Sequence, residues 1–163
     1  LGMKFQPADP DFASRVRASF ARQGAMKLIG AELATVEPGH VVIELPYRAD
    51  LTQQHGFVHG GMTAMIADSA AGYAAFTLFP ADSSILTVEF KINLVAPADG
   101  ERLAASARVK KTGRTLTICE FEVAAVKHGR STVCALGLQT LIHLAGKPDT
   151  PEMRPASRGV QGG

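Results

Sequence analysis

Two kinds of group in this chain could do chemistry together: backbone amides bared by glycines, and a carboxylate set among apolar neighbours. The first lies in the run Gln53-Gln54-His55-Gly56-Phe57-Val58-His59-Gly60-Gly61, which leads directly into a long helical pattern. A helix start offers unpaired N–H groups and the positive end of the dipole, and Gly60 and Gly61 let a ligand come close to them. Such donors suit a carbonyl oxygen that gains negative charge in the transition state, as in acyl transfer. The second is Asp68, about two and a half helical turns past His59 on a helix otherwise built from Ala, Ile, Met and Gly. A carboxylate there is expected to be desolvated, and a poorly solvated carboxylate is what a general base or nucleophile needs. The alternative is an interface aspartate held by hydroxyls such as Ser69 or by backbone amides.

Other chemistry has weaker footing. His55 and His59 stand four apart, a metal spacing only if both are helical. Gly56 and the Gly60-Gly61 pair make the stretch a loop, and no HExxH or third ligand accompanies them, so no metal site is expected. Cys119 and Cys134 sit in apolar strand patterns and read as inert core thiols. His143, alone in an apolar strand, reads as structural, as do His40 and His128 at turns. Neither the GxSxG elbow nor a phosphate loop occurs. Between Glu101 and Arg114, five basic residues (Arg102, Arg108, Lys110, Lys111, Arg114) face one acid. They read either as a guarded strand edge or as an anion contact.

The positioning elements follow from periodicity. Phe12, Val16 and Phe20 repeat every four residues, so a short amphipathic helix is expected over residues 9–24. From Met26 the pattern turns extended, MKLIGAELATVEPG then HVVIELPYR, split at Pro38-Gly39. LTQQHGFVHGG is a loop. GMTAMIADSAAGYAAFTLF is the one long helix; six of the fourteen residues 63–76 are alanine, so it is buried and lets a sheet approach closely. In TVEFKINLVAP, Val88, Phe90, Ile92 and Leu94 alternate with Thr87, Glu89, Lys91 and Asn93, which places the two sets on opposite faces. RLAASARVKK, TLTICEFEVAAV and STVCALGLQTLIHL follow as an antiparallel meander. One helix cannot cover both faces of such a sheet, but a curved sheet can wrap one helix: an α+β fold.

Composition bounds the rest. The chain has 163 residues, 46% of them hydrophobic and 20% charged, enough for one domain with its own core. Two cysteines exclude a disulfide scaffold, and a net charge of +2 with no tryptophan gives no platform for nucleic acid. No stretch reads as a membrane span or as the apolar core of a signal peptide, so a cytoplasmic protein is expected. The expected division is a helical segment 1–25, a main domain 26–145 and a disordered tail 146–163, rich in Pro and Gly.

The run VHGGMTAMIADSAAGYAA, with TVEFKINLVAPADGE and RLAASARVKKTGRT, resembles the hotdog-fold acyl-CoA thioesterases of the PaaI-type branch, over residues from about 26 to 144. That resemblance implies a curved antiparallel sheet of five or six strands around the long helix. It also implies subunits paired edge to edge as dimers or as tetramers built from two dimers, with active sites at the subunit interface. Carried onto this sequence, Asp68 becomes the catalytic carboxylate, Gly60 supplies the carbonyl-polarising N–H, and Gln53 the assisting side-chain amide, with Gln54 beside it. His59 falls near the leaving sulfur, and Thr87 at a position that orients water. Gly61 and Gln54 are then substrate contacts, and Arg108, Lys110, Lys111 and Arg114 become candidates for the phosphates of coenzyme A. Coenzyme A belongs to the substrate, so no separate cofactor is expected. The implied reaction is acyl-CoA hydrolysis. The alternatives are a non-catalytic acyl-CoA-binding module and an acyl-CoA hydratase or dehydratase on the same fold.

Overall fold

The computed structural model describes residues 5–150. Two helices, α1 (Phe12–Arg22) and α2 (Gly24–Ile29), precede strands β1 (Glu32–Glu37) and β2 (His40–Pro46). After a short turn of helix at Ala49–Leu51 comes α3 (Gly60–Phe76), then β3 (Ser84–Leu94), β4 (Arg102–Thr112), β5 (Leu116–Lys127) and β6 (Arg130–Leu144). The six strands form one sheet in the order β1-β2-β4-β5-β6-β3, every neighbouring pair antiparallel. This is the α+β arrangement expected, with a long helix lying against the sheet.

The alanines explain how α3 fits. Ala67, Ala70, Ala71, Ala74 and Ala75 are fully buried together with Ile66. Against them stand alternate residues of the strands: Val41, Ile43 and Leu45 on β2, Leu103, Ala105 and Ala107 on β4, Cys119 and Val123 on β5. Small helix residues meeting branched strand residues give a close-packed layer. α1 is fastened to the far end of α3 by Arg15. Its guanidinium donates to the carbonyls of Phe76 (3.2 Å) and Phe79 (2.6 Å), lies 4.2 Å over the Phe76 ring, and pairs with Asp9 at 2.8 Å. A cation among late helix carbonyls complements the negative dipole end.

Three expectations need correction. The extended reading from Met26 fails over its first four residues, because α2 runs to Ile29. Met26 and Ile29, three apart, are buried, while Leu28 between them is 77% exposed. Gly30, at φ +76°, stops the helix in the left-handed conformation that glycine tolerates, with N–H donation back to Lys27 and Met26. The tail expected to be disordered from Gly146 begins docked: Asp149 accepts from Ser19 and pairs with Arg22 at 3.0 Å on α1. Residues 151–163 of that expectation lie outside the described residues. The third correction concerns β3, where the pairing register slips between Thr87 and Glu89. Ile85 and Ile92 both pack against the core although they differ in parity, so a bulge at Val88 reverses the alternation. Thr87 therefore faces the helix side, and Val88 is 56% exposed.

Candidate active site

The loop before α3 is shaped by its own backbone. Thr52 bridges Val58, the Gln53 N–H donates to the Phe57 carbonyl (2.9 Å), and the Gly56 N–H donates back to Gln53 (2.9 Å). Gly56, at φ +83°, makes the turn a side chain would strain. This tight loop folds Gln53 back beside the helix start. Gln53, Gly60 and Thr63 accordingly line one cavity of about 330 Å³, with Phe57, Leu94 and Cys134.

His59 caps α3. Its Nδ1 accepts the Gly61 N–H at 2.8 Å, which leaves the ring proton of the neutral form on Nε2. The His59 carbonyl takes the N–H groups of Met62 (2.9 Å) and Thr63 (3.2 Å). Among the described residues nothing accepts the Gly60 N–H. A side chain at Gly60 would put its Cβ 2.8 Å from Leu94 Cδ1, so glycine keeps the approach to that N–H open. The Gly61 N–H, by contrast, is already used by the cap.

Asp68 lies on α3 further along, where it is half-buried rather than fully desolvated as expected. The sheet covers one side of the helix, and the Asp68 side borders a cavity of about 180 Å³ shared with Thr87, Gly72, Tyr73, Phe76 and Ile85. Its Oδ1 accepts from Thr87 Oγ1 at 2.7 Å and from Gln139 Nε2 at 2.7 Å, and the same nitrogen donates to Thr87 Oγ1 at 2.9 Å. Ser69, the hydroxyl suggested by sequence as a holder, donates instead to Gln23 (3.2 Å). Gln139 went unnoticed in the sequence. It is 1% exposed, and its Oε1 has no hydrogen-bond partner among the described residues. An orphaned buried acceptor costs about 1–3 kcal/mol, so the amide is held for what its nitrogen does. The available signal was phase: Ala135, Gly137, Gln139 and Leu141 alternate along β6, and a lone amide stands in a core-facing series.

The structure thus brings Asp68 together with Thr87, and Gln53 together with Gly60, in two separate cavities. Eight residues at 1.5 Å each put about 12 Å of helix axis between Gly60 and Asp68. One carbonyl group cannot touch both ends within one chain. Gln54 and His59 are exposed, and Gln54 lines neither cavity. The basic residues lie apart as well. Arg108 is on the outer sheet face near Lys91, Glu89, Glu120 and Glu122, Lys110 pairs with Glu120 at 3.2 Å, and Lys111 and Arg114 lie at the β4–β5 turn.

His143 stacks on Phe79 with ring centroids 4.0 Å apart and shares a hydrogen bond with Ser83 (2.8 Å). Burial pushes the Cys119 thiol up to about 12, and raises that of Cys134. Burial also raises the Tyr73 phenol, whose oxygen lies 3.1 Å from Ser19 Oγ. No helix among the described residues is long and apolar enough to cross a membrane.

Known proteins share this design. The thioesterase superfamily matches residues 55–132, the stretch from the pre-helix loop to β6. A thioesterase family protein from Silicibacter pomeroyi is 47% identical with a TM-score of 0.81, covering 83% of this chain and 99% of that one. The protein named "Putative esterase SSO2140" of Saccharolobus solfataricus is 30% identical over 96 residues, 59% of this chain and 68% of its own length. Acyl-coenzyme A thioesterase PaaI of Escherichia coli is 25% identical over 107 residues, 65% of this chain and 74% of its own. The fold is that of a hotdog thioesterase. The chain belongs to the thioesterase superfamily, and its class of reaction is thioester hydrolysis.

Proposed function

We propose that this protein hydrolyses acyl-CoA thioesters at a site completed by a second copy of the chain. The observation that carries this reading is the 12 Å of helix between a free N–H at Gly60 and a carboxylate held at one oxygen, Asp68. The N–H end of one copy and the carboxylate end of another can meet around one carbonyl. The surface for pairing is β3, an edge strand of eleven residues that among the described residues pairs with β6 alone. Leu86, Val88, Phe90 and Leu94 along it are exposed, and Val95 follows just beyond its end. Open apolar edges of that length favour strand-to-strand association.

In the reaction, the Gly60 N–H and the Gln53 amide take the thioester oxygen as it becomes negative. Gln53 Oε1 accepts the His55 N–H, which leaves its NH₂ group to donate. Asp68 of the other copy removes a proton from water, which adds to the carbonyl carbon. Collapse expels the coenzyme A thiolate, and the His59 Nε2–H lies at the same helix start to meet the departing sulfur. The products are the free acid and coenzyme A. Water is the only co-reactant and no electrons are transferred, so the chemistry needs no cofactor. Direct attack by Asp68, giving an anhydride that water then opens, uses the same geometry. Arg108, Lys110, Lys111 and Arg114 remain the basic groups available to the coenzyme A phosphates. The cavity beside Asp68, about 180 Å³, suits a compact acyl group, since a cavity of roughly 150 Å³ holds benzene.

The test is thiol release from benzoyl-, hexanoyl- and lauroyl-CoA by the wild type and by Asp68→Asn. Turnover of the compact substrates, with kcat reduced about a hundredfold or more in the variant, is expected. Unchanged turnover in the variant would remove Asp68 from the chemistry. Tight binding of the esters without turnover would favour a non-catalytic acyl-CoA-binding module.

A further inference from the structure

Gln139 stands on β6 directly behind the Asp68–Thr87 pair, buried, with its nitrogen engaged and its oxygen without a partner among the described residues. We propose that Gln139 is a positioning residue that commits Asp68 to react through Oδ2. The inference rests on the reading of Asp68 as the reactive carboxylate.

The argument is one of proton count. An amide nitrogen has two hydrogens and can only donate; a carboxylate can only accept; a hydroxyl has one hydrogen and two lone pairs. Gln139 Nε2 has three acceptors within reach, Asp68 Oδ1 (2.7 Å), Thr87 Oγ1 (2.9 Å) and the Asp68 carbonyl oxygen (3.3 Å), and its two hydrogens serve the two shorter contacts. With one Thr87 lone pair taken, the hydroxyl sends its own proton to Asp68 Oδ1, 2.7 Å away. Every proton direction in the cluster is thereby set. Rotating the amide would turn its oxygen toward a carboxylate and a hydroxyl oxygen that share a single proton. The observed arrangement avoids that clash and leaves Oε1 unmatched instead.

Two consequences bear on catalysis. Oδ1 holds two donors, whereas nothing among the described residues donates to Oδ2, so Oδ2 is the oxygen open to a water proton or to the carbonyl carbon. Thr87, its proton already spent on Asp68, can meet a water only as an acceptor. A water that gives one hydrogen to Oδ2 and the other to Thr87 presents its lone pair outward for addition. Gln139 touches neither that water nor the substrate; it acts through Asp68 and Thr87.

The test compares Gln139→Met, which keeps the length and removes both donors, with Gln139→Asn, which keeps an amide but withdraws it by one carbon. Both are measured in the full chain beside Asp68→Asn, on whichever of benzoyl-, hexanoyl- or lauroyl-CoA the wild type turns over fastest. In both variants kcat is expected to fall by about ten- to a hundredfold, with KM within about twofold and a melting temperature close to wild type. The asparagine variant gives the same reading should the methionine variant fail to fold. Folded variants that keep kcat within about twofold, or whose loss falls on KM, would overturn the role of Gln139 while leaving Asp68 in place. An Asp68→Asn enzyme with wild-type turnover would overturn both.

Discussion

At the scale of single residues, Cys119 shows how the core treats an ionisable group that the chemistry does not use. Its Sγ donates to the Ala71 carbonyl at 3.5 Å, and burial holds the thiol protonated up to about 12, against an ordinary value of 9.0. In the unfolded chain the thiol ionises first. The folded state then binds one more proton than the unfolded state, so stability falls as pH rises from about 9 toward 12. The raised Tyr73 phenol acts in the same direction at higher pH. Urea midpoints should therefore drop between about pH 8 and pH 10.5, and drop less in Cys119→Ala, which lacks the buried thiol. An equal drop in both chains would assign the alkaline loss to other groups. Residue type alone made this thiol legible, as it did Asp68 and Gly60: a carboxylate among alanines and a Gly-Gly pair at a helix start are exceptions to their surroundings. Gln139 is an exception too, but one seen only once its strand has been given a face.

At the scale of elements, the sequence was most legible where a run is long and clearly ended. α3 and the three strands β4, β5 and β6 came out as expected because each is a long apolar-rich run closed by a clear turn, so the register shifts within the β4–β5 and β5–β6 pairs left their bounds unchanged. It was least legible where a repeat is broken by one residue. The bulge at Val88 leaves the alternating string intact in writing while turning Thr87 to the helix side. In α2, apolar residues two apart imitate a strand, and only Gly30 signals the helix end. The close meeting of β3 and β6 depends on another single residue, Gly137. A Cβ there would lie 2.1 Å from the Lys91 carbonyl oxygen and 2.5 Å from Phe121 Cζ. Gly137→Ala must push β3 outward or displace Phe121, and should lower stability by about 1–3 kcal/mol in urea unfolding. Because Lys91 is on the strand that carries Thr87, kcat should fall as well. A variant as stable as the wild type would show that the two strands have slack.

At the scale of the whole molecule, the question is how many chains make one site. If Gly60 and Asp68 serve different substrates' ends within one chain and the same substrate across two, two inactive variants can repair each other. Asp68→Asn loses the carboxylate, and Gly60→Val obstructs the N–H at the helix start. In a mixed dimer both defects fall in one site and the other site is intact, because a two-fold pairing exchanges the two ends. Equal mixing, after subunits exchange, should restore about a quarter of wild-type activity, measured by thiol release. No recovery from a mixture shown to contain mixed dimers would place both groups in one chain. Under the proposed pairing, α3 would act lengthwise as a spacer, holding a donor and an acid at separate points along its axis so that each site draws on two copies. That separation has an evolutionary consequence. After a gene duplication, one copy could lose its acid and the other its helix-start donor without loss of the reaction. The pair would then be bound together by inheritance, as an obligate heterodimer with a single working site.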